Sequence, residues 1–459
     1  MPPTPDTRDT TLPQIHGHHL PLDGVRALAA LMVLVFHVAV ESGTALVPGL
    51  RGALFSGLEL AVPLFFGLSG ILLYRPWARA TLYGTPAPRA GAYLWRRALR
   101  VLPAYWLVAV AALLLYSREY LASVRVWLEV LTLSFVYTPD PWYEGIGPRG
   151  LGQIWSLCVE VAFYVLLPVL AYLLHRVARG GSDVDARARR LLVGLGVVIV
   201  FSVAVLVVQF YPEHRPQMHM WLPRTLGMFA AGMALAVISE WAWKEPDRDG
   251  PVRRFCHTLA TAPATCWLVA LGAYLVTATP ATGVRFAGAD SIWPAVAQSL
   301  AALVFAFFFL APITFLPMER PSAAERWRGS GAWLHTLMTG PVMAWLAKVS
   351  YGVFLWQFIV LYLWRDFTSQ EPFTGSMLLD LGPVVLGTLV LAALTHRFVE
   401  LPTRRAYHLL AVRDRPTSPQ SESPASESSR SSSSEPSSAS VSDSASAQGS
   451  PSDTGTNAP

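Results

Sequence analysis

The sequence predicts an all-α fold: a polytopic integral membrane protein with ten transmembrane helices, both termini cytoplasmic and a disordered C-terminal tail. Three observations predict it. Of the 459 residues 53% are hydrophobic and only 14% are charged, whereas a soluble domain carries about a quarter charged residues. Apolar stretches long enough to cross about 30 Å of hydrocarbon recur along the chain. Basic residues gather in short runs between those stretches, the pattern of membrane topology.

In chain order the ten stretches are 22–43, 58–74, 101–116, 154–175, 191–210, 222–243, 263–279, 292–316, 341–364 and 377–398. The first has an apolar core, 27–40, of signal-peptide length. The following Glu41 to Thr44 make a poor small-residue cleavage site, and Leu46 and Val47 extend the helix, so it is read as retained. An eleventh run, 126–137, is short and interrupted by Glu129. It is read as a re-entrant or interfacial segment in a long external loop.

Orientation follows from arginine. Arg75, Arg79, Arg89, Arg96, Arg97 and Arg100 fall in one loop region, and Arg176, Arg179, Arg187, Arg189 and Arg190 in another. If both are cytoplasmic, both ends of the chain lie inside and most of the 35 basic residues face inward. The chain then divides into a polar leader, 1–21, a membrane domain, 22–410, and a Ser/Pro-rich tail, 411–459. The tail has almost no large apolar residues and cannot offset its ordering entropy, so it is expected to be disordered and dispensable for chemistry. Tyr and Trp cluster near the expected interfaces, as anchors do.

The formal charge of +5 does not point to nucleic acid, because the basic residues sit in the loops of a membrane protein. Only Lys244 and Lys348 are lysines. Arginine suits phosphate recognition, and a GC-rich genome accounts for the same bias. Cys158, Cys256 and Cys266 show no paired spacing, so neither a metal site nor a disulfide framework is expected. His16, His18 and His19 stand in the polar, Pro-rich leader and are not read as a metal site.

Chemistry is expected where ionisable groups interrupt apolar helices. Arg26 and His37 lie in LDGVRALAALMVLVFHV. Eleven helical residues return to within about 20° and rise about 16 Å, so the two share a face without touching. An ionisable residue at mid-membrane depth usually faces a partner or a water-filled cavity. Imidazole titrates near neutrality, so His37 is either a general base or a structural hydrogen-bonding residue. Arg97 and Arg100, three apart in WRRALR, point the same way at a helix mouth. They could clamp the phosphates of a nucleotide carrier or serve as inner-face anchors. Glu160, in QIWSLCVEVAFYVLLP, needs a buried partner and is either a packing ion pair or functional.

Together these stretches resemble the membrane-bound acyltransferase-3 family over about residues 20–405. The resemblance rests on ordered blocks: LDGVRALAALMVLVFH, VPLFFGLSGILLYR, RRALRVLPAYW, WSLCVEVAFYVLLP, SYGVFLWQ and RFVELP. It implies that Arg26 and His37 match the family's essential pair, Arg97 and Arg100 its third-helix pair, and Glu160 the glutamate of its WSL block. Ser69 and Gly70 match its small pair. One block departs: Gln357 stands where many members carry His after SYGxYLW, and Gln cannot exchange a proton near neutrality. A proton-transfer role at that position is in doubt, while a positioning role remains open.

The resemblance implies an acyl-CoA:hydroxyl O-acyltransferase of the bacterial plasma membrane. Acyl-CoA, with acetyl-CoA expected, is the donor substrate, and no bound cofactor or metal is expected. The acceptor is a hydroxyl of a sugar, lipid-linked glycan, envelope polymer or polyketide. His37, Arg26 and Glu160 would be catalytic, and Arg97, Arg100, Ser69 and Gly70 would hold the donor. Two readings compete. One is a transporter or flippase whose Arg26, His37 and Glu160 line a path, although the two halves show no convincing repeat. The other is an inactive member that scaffolds partners through its tail.

Overall fold

The computed structural model describes residues 12–247, 249–283, 289–317 and 332–405. The expected tail and the first eleven residues of the expected leader lie outside these. The described residues form α1 (Leu20–Glu41), α2 (Leu50–Ser56), α3 (Ala61–Tyr83), α4 (Ala90–Tyr116), α5 (Val124–Leu131), α6 (Trp155–Ala178) and α7 (Val184–Phe210). They continue through α8 (Leu222–Lys244), α9 (Pro251–Thr261), α10 (Pro263–Thr277), α11 (Ile292–Thr314), α12 (Ala332–Thr339), α13 (Pro341–Phe367) and α14 (Met377–Thr395). A π-helical turn, His396–Glu400, follows α14.

Local chemistry sets the ends. Proline occupies the first turn of α1, α8, α9, α10 and α13, where its missing N–H costs no hydrogen bond. Asp183 caps α7 by accepting from the Ala186 amide at 2.7 Å. Along α7, Val193, Val197, Val200 and Phe201 stay exposed, an apolar surface that suits lipid rather than water.

Nine helical segments among the described residues are long and apolar enough to cross a membrane. The stretch expected at 263–279 differs. There α10 has 15 residues, a rise of about 22 Å, and meets α9 at 75°. Pro263 follows Ala262, and the residue before a proline is pushed out of helical geometry, so the helix breaks there. Counted as one bent span, the pair brings the total to ten. The run at 126–137 does not cross: it is the eight-residue α5 and a short 3₁₀ turn, Phe135–Tyr137. Tyr105 and Trp106 of α4 tie it down by donating to the carbonyls of Val130 and Leu131 at 2.5 and 3.0 Å.

At the centre α1 packs against α3 and α13, while α3 packs on α8. The α3–α8 crossing is made of glycines. A Cβ on Gly232 would lie 2.0 Å from the Gly67 carbonyl oxygen, and one on Gly70 would lie 2.2 Å from that of Phe229. Only small residues let backbones approach so closely in a membrane bundle.

Residues 12–19 of the expected leader form a strap. Arg79 donates to the Ile15 carbonyl at 2.8 Å, Arg75 to that of Gln14 at 3.3 Å and Trp243 to that of Pro13 at 2.6 Å. Arg79 is itself held by the fully buried Glu240, at 2.8 and 3.1 Å.

Candidate active site

A cavity of about 490 Å³ opens beside the start of α1, between the first halves of α4, α6 and α13 and the length of α3 from Phe65 to Arg79. Its walls carry six cations, Arg26, Arg75, Arg79, Arg97, Arg100 and Lys348, against two carboxylates, Asp23 and Glu160. Helix order explains the concentration. Four helices bring the cations to one mouth: Arg26 comes from α1, Arg75 and Arg79 from α3, Arg97 and Arg100 from α4, and Lys348 from α13.

The cations are not equivalent. Arg75 and Arg79 are engaged by the strap and by Ser239 and Glu240. Arg26 is held by Asp23 at 2.8 Å, one turn earlier on α1, and the second oxygen of Asp23 meets His18 Nε2 at 2.8 Å. Arg97 lies over the Tyr93 ring at 5.9 Å. Its Nε is buried with no hydrogen-bond partner among the described residues, a donor left unsatisfied in a residue that lines the cavity.

Glu160 lines the same cavity. Its Oε1 accepts from the Ser69 hydroxyl of α3 and from the Tyr164 hydroxyl at 2.6 Å. Ser69 faces the cavity, whereas its neighbour Gly70 is turned into the α3–α8 crossing. Gly70 therefore sits outside the wall and lets α3 come close enough to α8 to present Ser69.

His37 also lies outside the wall. Toward the membrane interior the cavity ends at Phe65 and Phe354, whose ring centroids are 6.3 Å apart. Three residues beyond Phe354 on α13, Gln357 brings its Oε1 within 3.1 Å of His37 Nδ1. The imidazole packs on Phe358 at 4.2 Å. The structure thus brings Arg26, Arg97, Arg100, Ser69 and Glu160 into one cavity and places His37 about one helical turn past its aromatic floor.

Sequence reading missed Asp23, Tyr164, Lys348 and the strap. Asp23 and Tyr164 carried a usable signal, since they stand three and four residues from Arg26 and Glu160 and so share their helix faces. The strap carried little, because its contacts come from carbonyls that any residue supplies. His19 is buried in it, and burial with Arg75 nearby pushes its imidazole down to about 3, so it is neutral at physiological pH.

Known proteins are similar to this chain in sequence. The family profile described as "Acyltransferase domain" matches residues 20–397. "Putative peptidoglycan O-acetyltransferase YrhL" of Bacillus subtilis is 24% identical over 402 residues, covering 85% of this chain and 55% of that protein. "Putative O-acetyltransferase SACOL0978" of Staphylococcus aureus is 22% identical over 397 residues, covering 84% of this chain and 57% of that protein. "Nodulation protein 10" of Rhizobium leguminosarum is 28% identical over 193 residues, 38% of this chain and 49% of that protein. The chain spans about half the length of these curated relatives. No solved structure matches it.

Proposed function

The chain belongs to the acyltransferase family whose profile covers residues 20–397, and from that premise we propose that it is a multi-pass membrane O-acetyltransferase. Acetyl-CoA is the donor, and the acceptor is a hydroxyl of a cell-envelope glycan, the acceptor class in the name of the Bacillus relative. The observation that carries the reading is the cationic cavity. It is lined by Arg26, Arg97 and Arg100 and ends toward His37 at Phe65 and Phe354. The enzyme is placed in the bacterial plasma membrane with both ends inside, in keeping with the distribution of arginine.

In this reading the donor's phosphates sit on Arg97, Arg100 and Arg26, where planar guanidinium groups pair with phosphate oxygens. The acyl arm extends toward Phe65 and Phe354, which part to let the thioester reach His37, over a distance close to the 16 Å or so that separate Arg26 and His37 along α1. His37 takes the proton of the acceptor hydroxyl as the oxygen attacks the thioester carbonyl. The tetrahedral intermediate collapses, the C–S bond breaks, and the CoA thiolate leaves with the proton that His37 held. Glu160, fixed by Ser69 and Tyr164, is a positioning residue within the donor cavity.

Purified protein in lipid vesicles, given acetyl-CoA and muropeptide or glycolipid acceptors, tests the reading. Acceptor-dependent release of free CoA thiol supports it. Transport of an acceptor across the vesicle with no CoA released would favour the flippase alternative.

A further inference from the structure

Gln357 occupies a position that the acyl-transfer chemistry above does not use. It is 1% exposed, and both ends of its amide are engaged. Its Nε2 donates to the Phe354 carbonyl one turn back on α13 at 3.0 Å, and its Oε1 lies 3.1 Å from His37 Nδ1. A carboxamide oxygen can only accept and a carboxamide nitrogen can only donate. The bond to Phe354 therefore decides which way the amide faces, and the amide in turn decides which imidazole nitrogen carries the hydrogen. Nδ1–H donates to Gln357, and the lone pair is left on Nε2.

We infer that Gln357 is a positioning residue for acyl transfer: it fixes His37 in the tautomer whose Nε2 is the basic atom and holds the ring with Nε2 presented to the acceptor hydroxyl. The arrangement does the work that a carboxylate does behind a catalytic histidine, with a neutral group in place of an anion. It suits a site where the imidazole packs on Phe36 and Phe358 and an unpaired charge would be costly. Phe354 is held in place as well, since Gln153, two residues before the WSL block, donates to the carbonyls of Phe354 and Leu355 at 3.3 and 2.9 Å. The chain of contacts runs from the 3₁₀ turn before α6, Gly152–Ile154, through α13 to the imidazole on α1. A histidine at this position could itself titrate; glutamine keeps the tautomer through the whole neutral range.

This inference rests on His37 being the base, and the test separates the two. Steady-state acetyl transfer is measured for the full-length protein and for Gln357→Met, Gln357→Glu, His37→Ala and the double variant His37→Ala with Gln357→Met. Methionine fills the volume without either hydrogen bond, and glutamate keeps an acceptor facing Nδ1. The expected result is a fall in kcat of at least about tenfold for Gln357→Met with KM for acetyl-CoA unchanged, since a wrongly held tautomer impairs the base and not the donor site. Gln357→Glu recovers most of that loss, and Gln357→Met adds nothing once His37 is alanine. Parental kcat in Gln357→Met beside an inactive His37→Ala would overturn this inference alone. So would a rise in KM for acetyl-CoA without a fall in kcat. Parental activity in His37→Ala would overturn this inference and the assignment of His37 as base together.

Discussion

Tyr164 donates its hydroxyl to Glu160 Oε1 at 2.6 Å, one turn apart on α6, while Ser69 of α3 donates to the same oxygen. The pair converts a carboxylate that would be costly in the bundle interior into a fixed element of the cavity wall. Removing one donor leaves that charge short of a partner. Tyr164→Phe is expected to lower stability by about 1.5–3 kcal/mol, the usual worth of a hydrogen bond to a charged group. Glu160→Gln keeps the shape and is expected to weaken acetyl transfer more than it lowers thermal stability. Unfolding in detergent and acetyl-transfer rates, measured side by side, check both.

Arg97 and Arg100 are expected to act on the donor. Arg97→Ala and Arg100→Ala should each raise KM for acetyl-CoA by about tenfold or more with a smaller effect on kcat, and Arg97→Lys should recover only part of the loss, because lysine lacks the fork. The same variants should flatten the dependence of KM on salt. Donor saturation curves at two ionic strengths measure all three.

Gly70→Ala is expected to disturb packing and leave the chemistry of the cavity wall in place. Its Cβ would meet the Phe229 carbonyl oxygen at 2.2 Å, which α3 and α8 can relieve only by separating. The cost should be about 1–3 kcal/mol, as for other overpacked sites, read as a lower unfolding temperature in detergent. A Gly84→Ala control meets nothing within 4 Å and tests only the left-handed turn after α3.

His19 gives the strap a pH dependence. Burial and Arg75 push its imidazole from the ordinary 6.5 down to about 3. The unfolded chain therefore binds this proton more readily than the folded one. Stability from this group is complete above about pH 6.5 and is lost progressively as pH falls toward 3. His19→Phe, which carries no proton, should flatten the fall in unfolding temperature between pH 7 and pH 4.

Much of this was legible in the sequence, for physical reasons that differ from residue to residue. Hydropathy fixes long spans such as α7, because twenty or more apolar residues in lipid have only a helix to form. It was less informative at 263–279, where the stretch forms only the 15-residue α10 and Pro263 at its start sets it at 75° to α9 before it. Helix periodicity placed Arg26 and His37 on one face, and the structure adds that the cavity reaches the first and stops at Phe65 and Phe354 short of the second. The partner of His37 could not be read from local spacing, since Gln357 is 320 residues away in the chain. Nor could Gly70, whose place at the α3–α8 crossing depends on tertiary contact with Phe229.

The central claim is that His37 is the base for transfer from acetyl-CoA to a hydroxyl. It is tested most directly by the rate of acceptor-dependent transfer of radiolabelled acetyl from acetyl-CoA by purified, vesicle-embedded His37→Ala at saturating donor. A fall of about two to four orders of magnitude with donor binding preserved is the predicted result. Transfer at the parental rate would contradict it.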